Sequence, residues 1–333
     1  MTRVDDPASS PVNSIKTYRY LRLAMPALVL LLFAALTIEW FAGGRRCVQE
    51  SISSYYYTPA QGVFVGALVA IGACLVVIKG NTQTEDVLLN VAGMLAPVVA
   101  FVPTVHVGEC RSVAVPVYDT SASIMNNIGA LLVMGVAGVV VTGFVARGER
   151  VAGRPAGRSR MGLPAAVMTI LVVAAGYFWA RPTFFVKGHY VAALVMFACI
   201  VTVVLMNAEG LGAARGAAGA TRVEAYLNRY ALIAVLMVGS LVVMVGWRWA
   251  TGWQHALLWA EGVLIVLFAV FWCVQTHELW NTIRRSRALG YAARPRRTPV
   301  SAVAARYSMR RASRAGRDRR AGRVDNVRRS ARR

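Results

Sequence analysis

"SISSYYYTPAQGVFVGALVAIGACLVVIKG", residues 51–80, sets three serines and three consecutive tyrosines against the mouth of an apolar run that meets no charge before Lys79. The run 61–79 is close to the roughly 20 residues that a helix needs to cross hydrocarbon. Alternation at period two, the mark of a transmembrane barrel strand, is absent. Seven more blocks of similar length flank it, at 22–43, 87–106, 124–146, 162–181, 188–206, 230–250 and 256–279. Apolar residues make up 57% of the 333 positions and mean hydropathy is +0.51, above the usual share of a soluble domain. The pattern predicts an all-α fold: a polytopic transmembrane helical bundle of about eight spans.

Lys16, Arg19 and Arg22 give the first block the look of a secretory signal, but it is longer than a signal core and reads as a retained helix. Arginine placement orients the rest, because short cytoplasmic loops retain Lys and Arg. With eight spans and the N-terminus inside, 31 of 37 basic residues fall on the cytoplasmic side, five of them in the 147–160 loop. The other six are Arg45, Arg46, Arg111, Arg181, Lys187 and Arg248. Both termini are expected in the cytoplasm, and the bundle in the plasma membrane. Three regions follow: a cytoplasmic N-terminal segment (1–20), the transmembrane domain (21–280) and a basic tail (281–333).

The tail carries eighteen Arg against Asp318 and Asp325. It is poor in apolar residues and repeats Gly, Pro and Ser, so it cannot bury enough surface to fold alone and is expected to be disordered. It either secures topology or adheres to anionic lipid head groups, where each basic side chain contributes about 1 kcal/mol near the surface. Neither aromatic interleaving nor a folded motif points to nucleic acid. Only three Lys stand beside thirty-four Arg, a codon bias that fits a GC-rich genome.

Of five cysteines, Cys74, Cys199 and Cys273 fall inside predicted spans and read as small packing residues. Cys47 and Cys110 fall in the first two outer loops, where disulfides persist. They form either one bridge or two free thiols.

On this topology Tyr55, Tyr56 and Tyr57 belong to the outer aromatic belt. Thr58 and Pro59 read as cap and first turn of the next helix. Gly62 and Gly66 make a small-xxx-small packing face. Asn90, Asn126 and Asn127 are available for bonds between helices. Pro97 and Pro103 free carbonyls that can line a cavity. Ionisable groups at membrane depth are site candidates by default. Glu39, His106, His189, His255 and Glu261 reach the same outer level, while His277 and Glu278 lie at the opposite face. Imidazole and carboxylate are ordinary zinc ligands, and a catalytic zinc needs three of them plus an open position. The candidate metal ligands are His106, His189 and His255, with Ser53 and Glu261 as candidate catalytic groups. Zinc is the one cofactor these residues suggest. The plainer alternative is polar trim at the membrane rim, for no His-x-x-His spacing forces the ligands together. G-x-x-x-x-G-K-[ST], H-E-x-x-H and CxxC are all absent.

"SISSYYYTP", "VFVGALVAIGACLVVIKG…EDVLLNVAGMLAPVVAFVPT" and "GHYVAALVMF" resemble a group of uncharacterised actinobacterial multi-spanning integral membrane proteins, over roughly residues 38 to 280. More distantly, a serine near span two with scattered membrane histidines is similar to the alkaline ceramidase and progestin/adiponectin receptor superfamily. That resemblance implies a seven-helix hydrolase with a serine, an aspartate and three histidines around zinc, the parts falling here to Ser53, His106, His189 and His255. The chain departs from it in having eight spans, no paired histidines on a late helix, and Asp86 at the cytoplasmic face. Three functions stand: a structural or lipid-associated membrane protein, which demands least; a metal-dependent hydrolase acting on lipid at the outer face; and a small-molecule transporter.

Overall fold

The computed structural model describes residues 10–42, 48–104, 120–151, 161–217, 221, 223 and 227–293. Cys47, His106, Cys110 and the stretch after Ala293 lie outside the described residues. The described chain forms eight α-helices and no strand: α1 (Ser10–Ala42), α2 (Gln61–Val77), α3 (Gln83–Phe101), α4 (Thr120–Val151), α5 (Gly162–Trp179), α6 (Arg181–Ala217), α7 (Arg229–Thr251) and α8 (Ala256–Ala293). A short 3-10 turn, Ser53–Tyr57, precedes α2. All but α2 contain a stretch long and apolar enough to cross a membrane, seven in number. This is a multi-pass helical membrane protein. The 17 residues of α2 rise about 25 Å, a little less than a hydrocarbon core of about 30 Å. Residues 1–278 form one unit and residues 279–333 another.

Helix ends follow from local chemistry. Thr82 caps α3 by accepting from Glu85 N–H, and Glu85 and Asp86 reach back to accept from Asn81 and Gly80 N–H. This is a capping box shifted back by one residue. Asn228 caps α7 through Tyr230 and Ala231 N–H. That helix stops at Gly252, whose φ of 67° is open to glycine without a Cβ clash. Thr58 does not cap α2 directly, as the sequence predicts; the helix starts at Gln61, and Thr58 closes the 3-10 turn while accepting from Ala60 N–H.

The tightest packing is the antiparallel α2–α3 pair. A Cβ on Gly72 would lie 2.6 Å from Gly93 O, and one on Gly93 would lie 2.5 Å from Gly72 O. Only glycine fits on both sides. Pro97 contributes as well, because it lacks the N–H that would occupy Gly93 O within the helix. Gly62 and Gly66, the expected packing face, have nothing within 4 Å. The close approach is one to two turns further along α2, where α3 faces it.

α3 also packs closely on α6, and α6 on α7. α8 keeps its backbone further from its neighbours and meets the core through Phe268, Phe271 and Trp272. α4 and α5 bury little; Val133, Val141, Phe144, Leu171 and Trp179 all point outward. In hydrocarbon that exposure carries no penalty, because lipid tails are as apolar as the side chains.

Hydrogen bonds sort the helix ends. Tyr57, Thr104, His189, Glu261 and Ile52 meet at one end of the bundle. Arg22, Lys79, Glu85, Asn207, Tyr230, Gln275 and Glu278 meet at the other. The first is called the knot end here, and the second the arginine end.

Candidate functional site

At the knot end, "SISSYYY" folds inward. Ser51 Oγ lies 2.9 Å from both Ser53 Oγ and Ser54 Oγ and accepts from Ser54 N–H. The serines therefore brace the 3-10 turn, a local side-chain to backbone pattern typical of the residue type. All three are buried. Tyr55 and Tyr56 are buried too, 6% exposed each, and pack with Leu32, Leu36, Phe64 and Ala67. That corrects the expectation of an aromatic belt with wet hydroxyls: these two rings are core. Tyr57 is half-buried and donates to Thr104 O at 2.9 Å.

Beneath the turn is a cavity of about 70 Å³ between α1, α2, α3, α6 and α8. Ser53, His189 and Glu261 are the only polar side chains among the seventeen residues that line it. The walls are Leu32, Phe64, Ile71, Leu75, Phe197, Phe268 and their neighbours. Along α2 the lining runs from Phe64 to Leu75, about 16 Å of rise. That is about one leaflet of the hydrocarbon core.

His189 and Glu261 at this rim are held by backbone. Pro103 has no N–H, so Val99 O lacks its usual partner four residues on. His189, 3% exposed, fills that place: its Nδ1 lies 3.1 Å from Val99 O and 2.8 Å from Val102 O. Both neighbours are acceptors, so Nδ1 carries a proton, and the neutral imidazole then keeps its lone pair on Nε2. Of the two carbonyls expected to line a cavity, Gly93 O packs against Gly72 instead and Val99 O is taken by His189. Glu261 crosses from α8 to the turn, accepting from Ile52 N–H at 2.6 Å and from Ser53 N–H. Leu258 N–H donates to Glu50 O beside it. His255 Nδ1 faces Gln49 O at a long 3.4 Å.

Ser53, His189 and Glu261 thus share one cavity, but not as a nucleophile, base and orienting acid. Ser53 Oγ bonds Ser51, His189 is oriented by carbonyls, and Glu261 by amides. Among the described residues, no three His, Cys, Asp or Glu side chains stand close enough to share a metal ion. His189, His255 and Glu261 therefore form no such group, and the third predicted ligand, His106, lies outside the described residues along with Cys47 and Cys110. The described donor set does not fit zinc.

The arginine end holds a second polar cluster that the sequence did not announce. Arg22, 2% exposed, donates to Gln275 Oε1 at 2.8 Å and to Tyr18 OH at 2.6 Å. Its guanidinium stacks between the Tyr18 and Trp272 rings, 4.6 and 5.3 Å from their centroids. Gln275 donates on to Asn207 Oδ1, and Asn207 donates to Glu85 Oε1, each at 3.1 Å. A buried cation and a buried carboxylate are thus joined through two amides from α8 and α6. Tyr230 OH donates to Glu278 at 2.6 Å, and Glu278 pairs with Arg229. Arg22, Glu85 and Gln275 stand at the margins of apolar blocks, where they read as loop charge or trim. The one signal was Thr82 three residues before Glu85. Asn126 and Asn127 bond each other rather than another helix, and the amides that bridge helices are Asn207 and Gln275.

No family model matches the chain, and no curated protein or solved structure matches it either.

Proposed function

We propose that this chain is a lipid-binding protein of the plasma membrane that holds an amphiphile without transforming it. The observation that carries this reading is the cavity beneath the serine–tyrosine knot: leaflet-deep walls of Leu, Ile, Val, Phe and Met, with polar groups confined to one end. A concave apolar site with a few placed polar groups is the usual form of a ligand pocket. An alkyl chain lies along such walls while its head stays at the rim.

Eight crossings fit this reading better than seven. α2 pairs with α3 from Tyr57–Thr104 at one end to Gly80–Asp86 at the other, so the 3-10 turn and α2 together cover the depth that α3 covers. Arginine asymmetry then sets the arginine end and both termini in the cytoplasm and the knot end outside. The basic stretch 281–333 adheres to anionic head groups on the inner side. The likeness to actinobacterial multi-spanning membrane proteins agrees with this and adds no activity. A hydrolase reading has less support, because Ser53, His189 and Glu261 do not bond one another and no three described ligand side chains share a metal site.

Native mass spectrometry of the chain released from nanodiscs tests the reading. Wild type retains one amphiphile adduct, and Ala193→Trp, which fills the cavity, loses it. A wild type that carries no more lipid than the filled variant overturns it.

A further inference from the structure

Resting on the lipid-binding reading, we infer that the cavity selects an amphiphile whose head is a primary ammonium. Both functional groups at its rim accept hydrogen bonds. His189 has its only proton committed to Val99 O and Val102 O, which leaves the Nε2 lone pair. Glu261 spends part of its acceptor capacity on Ile52 and Ser53 N–H. A carboxylate offers about four acceptor sites, so the group retains room for a further donor. The third rim residue, Ser53, is turned to Ser51.

Charge narrows the choice. The ion pair Arg229–Glu278 lies at the opposite end of the bundle. Among the described residues, Glu261 has amide partners and no cation within ion-pair distance. Burying a carboxylate without a cation is costly unless something brings one. The buried cation among the described residues, Arg22, belongs to the other end and is engaged with Gln275, Tyr18 and Trp272. An alkylammonium supplies what is missing: three N–H donors and a positive charge at the rim, with a chain that lies along Leu32, Phe64, Ile71, Leu75 and Phe268. A fatty acid or alkyl phosphate would bring a second anion beside Glu261 and an acceptor to His189. An alcohol satisfies one acceptor and leaves the charge alone. Hydrogen bonds to charged groups are about twice as strong as neutral ones, so the ammonium outranks the alcohol.

The test uses the full chain in phosphatidylcholine nanodiscs, dialysed to equilibrium against deuterated octylamine, octanol or octanoate, with empty nanodiscs as background. The expected result is about tenfold tighter excess binding of octylamine than of octanol, and no excess binding of octanoate. Glu261→Gln should bring octylamine down to the octanol level. The wild-type ranking needs no variant to fold, so it decides on its own. Equal binding of octylamine and octanol, both lost in Ala193→Trp, would overturn the ammonium preference and leave the lipid-binding reading standing. No excess binding of any of the three would remove both. Repeating the octylamine measurement with phosphatidylethanolamine in the disc separates two sources of the same group: competition assigns the ammonium to a bilayer lipid, and its absence assigns it to a single-chain amine.

Discussion

Gly72 and Gly93 show how much can hang on a missing side chain. Each would put a Cβ on the other's carbonyl oxygen, and a carbonyl fixed in a helix cannot swing aside as a side-chain tip does. Gly72→Ala and Gly93→Ala should each lower stability by about 1–3 kcal/mol, the range for overpacking a filled interior. Gly62→Ala and Gly66→Ala should stay within about 0.5 kcal/mol of wild type, as substitutions away from such contacts do. Unfolding in mixed detergent by titration with dodecyl sulfate measures all four. On α2 the spacing of Gly62 and Gly66 favoured that face, whereas the glycine that packs is Gly72, against Gly93 of α3. Which glycine meets a partner depends on the neighbour's register. Pro103 was legible in a different way: a missing N–H predicts an orphan carbonyl with certainty, though not that His189, 87 residues from Val102, answers it.

Among the elements, α8 joins distant segments at both the knot end and the arginine end. Its start reaches the knot through Glu261 and Leu258, and its Gln275 bridges Arg22 on α1 and Asn207 on α6. Gln275→Leu keeps the volume and removes both bridges. It leaves the Arg22 guanidinium short of an acceptor, its Nε already lacking one. The expected loss is about 1–3 kcal/mol or more, since a charged donor left unpaired in a buried place loses most. The same detergent titration reads it, and Gln275→Glu, which supplies an acceptor, should recover part of the loss. Of this element the sequence told where its apolar block lies, 256–279, while the helix itself runs on to Ala293. It did not tell that Gln275 is a bridge, because Arg22, Asn207 and Gln275 become neighbours only after helix adjacency is set.

For the whole molecule, block length and composition were enough to foresee a bundle of apolar helices, since hydrocarbon leaves the backbone few other choices. The placement of Ser53, His189 and Glu261 at one end was legible for the same reason: helices that alternate in direction carry their ends with them. Their hydrogen-bond partners were not legible, because those partners are backbone groups whose availability depends on turns and prolines. The arrangement of the two ends across the bilayer rests on arginine. A tag at residue 333 and another in the 147–160 loop should be shielded in intact cells, and a tag beside residue 50 should be open to a membrane-impermeant label. The reverse pattern would turn the bundle over and place the knot in the inner leaflet.

α8 is fixed at Glu261 and again at Gln275 by directed polar bonds, and between those two points it meets its neighbours through Phe268, Phe271 and Trp272. A stave fastened like that bows before it detaches. Under the lipid-binding proposal, guests of different girth would be admitted by flexing the wall between Glu261 and Gln275 with both fastenings unbroken.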